Sequence, residues 1–93
     1  MVNKFDVKKN LLLAICQTSL KESDGRKIGK LVDWKEVVRF YKSNFGRGGE
    51  LELSRVREEL RADGYIISRW GYGTRWVALT KDGERVLKFG SKE

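Results

Sequence analysis

The sequence of 93 residues contains no histidine, no proline and one cysteine, Cys16. A single cysteine excludes an intrachain disulfide and any zinc site built from a cysteine cluster. Without histidine the chain lacks the usual general base at neutral pH, and Cys16 has no evident activating partner. We therefore predict that the protein is not an enzyme, with no catalytic residue, no metal and no cofactor.

A long apolar run is also absent, and the first residues do not have the pattern of a signal peptide. The sequence therefore predicts a soluble intracellular protein of the cytoplasm, with no membrane partner and no evident small-molecule substrate. Ninety-three residues suffice for one domain with one core, which we place at residues 1–93.

Basic side chains outnumber acidic ones: 20 Lys and Arg stand against 13 Asp and Glu, a net charge of +7. Such a balance indicates a polyanionic partner, and nucleic acid before a membrane. The alternative is a charged surface that serves solubility or a heat-adapted source, which the scarcity of Asn and Gln also favours. Residues 1–48 hold eleven basic and five acidic side chains, whereas residues 49–93 hold nine and eight. Any contact with phosphate groups must therefore draw on both halves of the chain.

A helix is predicted over residues 50–63. Three apolar residues recur there at helical spacing: Leu53, Val56 and Leu60. Gly64 follows, where a helix needs a residue with positive φ to end. If the three apolar residues point inward, the step of ~100° per residue places another set on the outward side. That set comprises Leu51, Ser54, Arg55, Glu58 and Ala62.

Residues 65–80 are predicted to form a hairpin. Apolar and polar residues alternate on both sides of Gly71-Tyr72-Gly73-Thr74, which is typical of two strands joined by a turn. We expect Trp70 and Trp76 to pair across the strands and stiffen the hairpin, a structural role that we favour over base stacking. The glycines do not indicate a dinucleotide site, because Trp76 stands where a third glycine is required.

Three further helices and a short strand are predicted around this segment. The helices span residues 6–20, 33–45 and 81–89, and their expected N-caps are Asp6, Asp33 and Thr80, respectively. Glu36 stands three residues after Asp33, as in a capping box. Residues 28–32 supply the strand. The expected order is helix, strand, helix, helix, strand, strand, helix, in the α+β class.

The first helix carries more apolar residues than one face needs. Leu12, Leu13 and Cys16 lie outside its main stripe. Two interpretations stay open: the helix is buried on two sides of its own domain, or the surplus face meets a second copy in a homodimer. In the second case Cys16 would lie near its symmetry mate, as an intersubunit disulfide or as a buried, unreactive thiol.

Two runs in this order resemble a known family. SRVREELRADGYI is similar to the recognition-helix segment of winged helix-turn-helix regulators, and RWVALTKDGERVL resembles their closing strand and helix. The similarity covers residues 33–88 and is typical of MarR-like and PadR-like regulators and of small winged-helix proteins of archaea and their viruses. It implies a winged-helix fold, with the helix over 50–63 as the recognition helix and the hairpin as the wing.

The resemblance, together with the charge, implies a homodimeric transcriptional regulator that binds double-stranded DNA with sequence preference. Its recognition helix would enter the major groove, and its wing would contact the backbone or the minor groove. Arg55 is the first candidate for base reading, because its fork can hold guanine O6 and N7 together. The full set of candidate DNA contacts is Arg47, Ser54, Arg55, Glu58, Arg61, Arg69, Tyr72, Thr74 and Arg75.

Several alternatives remain for these residues and for the whole chain. Glu58 either accepts a hydrogen bond from a cytosine amino group or pairs with Arg55 or Arg61 along the helix. Arg47, in a glycine-rich link, either holds a phosphate or belongs to a plain connector. The domain could also serve as a protein-contact module of a transcription or replication complex, or as a nucleic-acid binder without sequence preference.

Overall fold

The computed structural model describes residues 4–22, 29–46 and 50–89. These residues form four helices and a three-stranded antiparallel sheet, so the predicted α+β class is confirmed. In chain order the elements are α1 (Lys4–Glu22), β1 (Val32–Asp33), α2 (Trp34–Phe45), α3 (Glu50–Ala62), β2 (Ile66–Gly71), β3 (Thr74–Leu79) and α4 (Lys81–Phe89). None of the described helices has the length and apolar character that a membrane crossing requires.

The central element is α1, which contacts α2, α3, α4 and the sheet. Leu12 and Cys16 are buried within the single chain, with 1% and 6% of their surface exposed, and Leu13 is half-buried. This burial favours the interpretation in which α1 is enclosed on two sides by its own domain, and it leaves Leu12 and Cys16 little surface for contact with a second copy. A helix surrounded on most sides needs apolar residues around most of its circumference, which explains the surplus.

The helix starts differ in part from the expected caps. The Oδ1 atom of Asp33 accepts a hydrogen bond from the backbone N–H of Lys35 at 2.9 Å, so the N-cap of α2 is confirmed. The carboxylate of Glu36 instead accepts from Arg39 at 2.8 and 2.9 Å. Asp6 is not an N-cap, because α1 begins at Lys4 and Asp6 lies inside its first turn.

The end of α3 is defined by Gly64, whose φ is 83°. Its N–H donates to the carbonyl oxygen of Arg61, and the N–H of Tyr65 donates to that of Leu60, both at 3.0 Å. This pair of bonds is the Schellman arrangement, in which a residue with positive φ satisfies the last helical carbonyls. The predicted stop at Gly64 is therefore confirmed, and it directs the chain into β2.

Thr80 joins this turn to α4. Its hydroxyl donates to the carbonyl oxygen of Gly64 at 2.8 Å and accepts from the N–H of Gly83 at 3.1 Å, which confirms the expected N-cap. A Cβ atom at Gly83 would collide with the carbonyl oxygen of Tyr65 and the side chain of Leu79. The first turn of α4 can therefore approach the start of the hairpin this closely only because residue 83 is glycine.

The sheet has the order β1-β3-β2, and its outer two-stranded part is the hairpin formed by β2 and β3. Tyr72 and Gly73 form the turn with φ values of 54° and 70°, the geometry of a two-residue type I′ turn. Counting outward from this turn, Trp70 lies opposite Arg75 and Arg69 lies opposite Trp76. The expected pairing of the two tryptophans is therefore wrong, because each tryptophan has an arginine, not the other tryptophan, as its cross-strand partner.

The core lies between α1, α2, α3 and one face of the sheet. Leu53, Val56 and Leu60 of α3 are all buried, as the helical spacing predicts. They belong to the same apolar cluster as residues from the other elements, among them Leu11, Ile15, Val32, Val37, Ile66, Val77 and Leu79. With this face inside, the opposite flank of α3 is turned away from the core.

Candidate nucleic-acid interface

The outward flank of α3 presents one arginine that has no partner in the part of the chain that the structure describes. Arg55 is exposed, and among the described residues it has no ion pair or hydrogen bond. Ser54 beside it is half-buried and Ala62 is exposed, whereas the side chain of Leu51 lies outside the described part of the chain. None of the described residues therefore uses the five N–H donors of this guanidinium.

Glu58, on the same flank, is held by two arginines. Its carboxylate accepts hydrogen bonds from the Nε atoms of Arg57 and Arg61, each at 3.0 Å. The hydrogen bond from Arg61, followed by the bond and charge of Arg57, holds the pKa of the Glu58 carboxyl below its usual value. This geometry favours the interpretation of Glu58 as a carboxylate paired along the helix. The same pairing uses the Nε–H donor of Arg61.

Two further carboxylates at the end of α3 face α1. The ammonium group of Lys8 lies 3.5 Å from a carboxylate oxygen of Glu59 and 3.7 Å from one of Asp63. Together with Glu58, three acidic groups of this segment are compensated by cations within the molecule. The mixed charge of the α3 sequence therefore does not cancel the positive charge that Arg55 presents outward.

Arg57 has a role that the sequence does not reveal. Its guanidinium carbon lies 4.8 Å from the centre of a Trp34 ring, and only 11% of its side chain is exposed. This cation–π contact packs α3 against the first residue of α2. Trp34 and Arg57 are far apart in the sequence, and no periodicity rule connects them.

A strip of cations follows the outer side of α2. Lys35, Arg39 and Lys42 line a depression of about 350 Å³ whose floor is formed by Trp34 and Val38. None of these cations was among the predicted DNA contacts. Their i, i+4, i+7 spacing places them on one helix face, and this was the signal in the sequence that could have identified the strip.

The two arginines that flank the hairpin turn differ in exposure and in their contacts. Arg69 is exposed, whereas the half-buried Arg75 lies with its guanidinium carbon 5.6 Å from the centre of the Trp70 ring. Arg75 also donates from Nη1 to the Oγ atom of Ser68 at 3.3 Å. Tyr72 at the tip is fully exposed. Of the two arginines, Arg69 is therefore the one that projects freely from the hairpin.

Two candidate residues remain to be placed. Thr74, the first residue of β3, is half-buried and pairs with Gly71 across the turn. Arg47 lies outside the described residues. Nothing in the described ranges brings three or more His, Cys, Asp or Glu side chains together as a metal would require.

The described residues define a small, basic α+β protein with an arginine on an outward helix flank, a cationic strip on the preceding helix and an exposed aromatic hairpin tip. The sequence matches no protein-family model and no curated protein, and the fold matches no solved structure.

Proposed function

We propose that this protein is a winged helix-turn-helix protein that binds double-stranded DNA with sequence preference. In this proposal α3 is the recognition helix and the β2–β3 hairpin is the wing. The main support is the outward flank of α3, where Arg55 is exposed and has no partner among the described residues, while the neighbouring Glu58 carboxylate is paired with Arg57 and Arg61. The direct succession of α2, α3 and an antiparallel hairpin agrees with this assignment.

Base reading is assigned to the α3 flank. The fork of Arg55 matches the two acceptors that guanine presents in the major groove, O6 and N7. Ser54 precedes it on the same flank and can reach a base edge or a phosphate through its hydroxyl. Glu58 acts indirectly, because its bonds to Arg57 and Arg61 fix the charges around the reading side chain.

Phosphate contacts are assigned to two cationic groups. In helix-turn-helix proteins the first helix of the motif crosses the DNA backbone, and here the strip of Lys35, Arg39 and Lys42 lies on that helix. Arg69 supplies a second contact from the hairpin. Such contacts carry no sequence information, but they fix the position of the helix in the groove.

A role in transcription regulation and a homodimeric state are part of the same proposal. A dimer would place two α3 helices at half-sites about one turn of DNA apart. Leu13 is the one residue of the expected dimer surface that the core does not enclose. Sedimentation at micromolar concentration tests this part, and a monomer there would contradict it.

The DNA-binding proposal is tested by the salt dependence of duplex affinity. With about four phosphates contacted, raising salt from about 50 to about 200 mM should weaken binding about a hundredfold. Arg69→Gln should reduce the slope by about one contact for every sequence. Arg85→Gln, which removes an equal charge from an exposed site on α4 paired with Asp82, is the matched control and should leave the slope unchanged. Affinity that is indifferent to salt would contradict the proposal.

A second candidate function is favoured by the apolar residues that the hairpin exposes. Trp70 is 66% exposed and Tyr72 fully exposed, beside Leu31 and Ile67. Exposed apolar side chains grouped in this way are typical of surfaces that bind other proteins. A protein-contact module would bind its partner with little dependence on salt, which separates it from the DNA-binding proposal.

A further inference from the structure

The exposed large apolar residues of the described chain lie on the hairpin and just before the sheet, and three of the four line one groove. The groove has a volume of about 330 Å³, and its walls are formed by Leu31, Arg69, Trp70, Gly71, Tyr72 and Trp76. The Nε1–H of Trp76 donates to the carbonyl oxygen of Gly71 at 3.0 Å, so this ring is fixed in place. The groove is therefore mostly aromatic, with a single guanidinium at its border.

Tyr72, which lines this groove, has a positive φ that tyrosine residues rarely adopt. It is the only non-glycine residue with positive φ in the described part of the chain, and its side chain is fully exposed. Asparagine or glycine fits the first central position of a type I′ turn better than tyrosine. Among the described residues, no hydrogen bond or ring contact explains a tyrosine here. Its ring is thus available to an external ligand.

The composition of the groove selects the class of ligand. A flat apolar body can stack against Tyr72 or Trp76, and an anionic group attached to that body can reach Arg69. The net charge of +7 adds a general attraction for a polyanion. A nucleotide provides both groups in one ligand, a base for the aromatic rings and a phosphate for Arg69.

We propose that this groove binds an unpaired base of a single-stranded nucleic acid, stacked on Tyr72 and Trp76 with its phosphate on Arg69. Bases inside a duplex hide their faces in the stack, so the ligand is a single strand, an overhang or an unpaired position. Aromatic platforms combined with basic side chains are the general means by which proteins hold single strands. This binding mode does not depend on α3 reading a duplex.

Two substitutions of Tyr72 form a matched pair. Tyr72→Phe keeps the ring and the turn conformation, whereas Tyr72→Asn removes the ring and suits the turn better. Because Asn tolerates positive φ, the Tyr72→Asn variant should fold with a Tm no lower than that of the wild type. Loss of binding in this variant therefore cannot be attributed to unfolding.

The probes are an oligothymidylate of about 12 nucleotides and an abasic oligomer of equal length, which has the same phosphates without bases. Binding is measured by fluorescence anisotropy, with tryptophan emission recorded in parallel. The wild type and Tyr72→Phe should bind the oligothymidylate about tenfold more tightly than the abasic oligomer, with quenching of tryptophan. Tyr72→Asn should lose most of this difference, and Arg69→Gln should weaken binding of both oligomers more than Arg85→Gln does.

Equal affinity for the two oligomers, or equal behaviour of Tyr72→Asn and Tyr72→Phe, would overturn the proposal. Self-association that Tyr72→Asn abolishes would overturn it as well, by assigning the groove to a second copy of the chain. Arg55→Ala should change duplex preference and leave the difference between the two oligomers intact. Failure of the groove and failure of the recognition-helix proposal are therefore distinguishable.

Discussion

Glu58 accepts one hydrogen bond from Arg57 and one from Arg61. These bonds offset the negative charge that Glu58 places on the surface of α3. An unpaired carboxylate there would repel phosphate groups next to Arg55. Pairing with Arg57 and Arg61 offsets that repulsion in part. Because Arg57 and Arg61 belong to the same helix, the pairing leaves the net charge of α3 unchanged, and Arg55 is the cation of this flank that no described residue offsets.

The Glu58 pairs should make a small, pH-dependent contribution to stability. The folded pKa of this carboxyl is lowered from 4.5, so its stabilisation is present above about pH 4.5 and is lost as pH falls through the lower folded value. Because the side chain is 44% exposed, solvent screening limits the effect to about 0.5 kcal/mol. Urea unfolding should therefore separate the wild type from Glu58→Gln at pH 7, and the difference between them should shrink as the pH is lowered below 4.5.

The control for this experiment is Glu52→Gln, because Glu52 is an exposed glutamate of the same helix with no ion pair to the residues that the structure describes. Its unfolding free energy should follow the wild type at each pH. If the difference between the wild type and Glu58→Gln stayed constant from pH 7 to pH 3, the pairing would not be what stabilises the charged form.

Single residues also show where sequence reasoning stops. The spacing of Leu53, Val56 and Leu60 was sufficient to orient α3 and to place Arg55 outward, because helical periodicity is a local property. The stacking of Arg57 on Trp34 was not predictable, because it depends on how α2 and α3 pack together. Tertiary contacts of this kind have no fixed spacing in the sequence.

Among the helices, α1 has the most contacts with other elements, and its apolar surplus follows from that position. The sequence left two explanations open because apolar residues on a second face have the same pattern whether they meet another element or another chain. The burial of Leu12 and Cys16 within the single chain favours the first explanation. Only the half-buried Leu13 retains enough surface to contact a partner.

Two alanine substitutions in α1 test this assignment. Leu12→Ala should lower the free energy of unfolding by about 3 kcal/mol, because a fully buried leucine leaves a cavity that the core cannot fill. Leu13→Ala, the matched substitution at the neighbouring residue, should cost about 1 kcal/mol because less of its apolar surface is buried. Chemical unfolding of both variants provides the comparison. Equal losses, or a larger loss for Leu13→Ala, would show that the buried face has been assigned to the wrong residue.

The hairpin shows a different limit of sequence reasoning. Its turn at residues 71–74 and its two strands were predicted from alternation and glycine content, and both are present. The two strands were predicted correctly, but the residues that face each other across them were not, which is why Trp70 was paired with Trp76. Once the two central turn residues are known, counting outward gives Trp70 opposite Arg75. This contact could therefore have been predicted from the sequence.

For the whole molecule, the arrangement of charge matters more than its total of +7. The carboxylates of Glu58, Glu59 and Asp63 are paired with cations of the same chain. On the proposed DNA-binding elements, Arg55, Arg69 and the cations of α2 are exposed, and of the α2 cations Arg39 is paired with Glu36. The protein can therefore attract a polyanion although its second half is close to neutral in composition.

The most direct test of the central claim is selection of binding sites from random duplex DNA by the wild type and by Arg55→Ala in parallel. The wild type should enrich a motif with a guanine at a defined position, since an arginine fork contributes about 1–3 kcal/mol of discrimination at one base pair. Arg55→Ala should still bind but should lose the preference at that position alone. Failure of the wild type to enrich any motif, or recovery of the same motif by Arg55→Ala, would contradict α3 as the recognition helix.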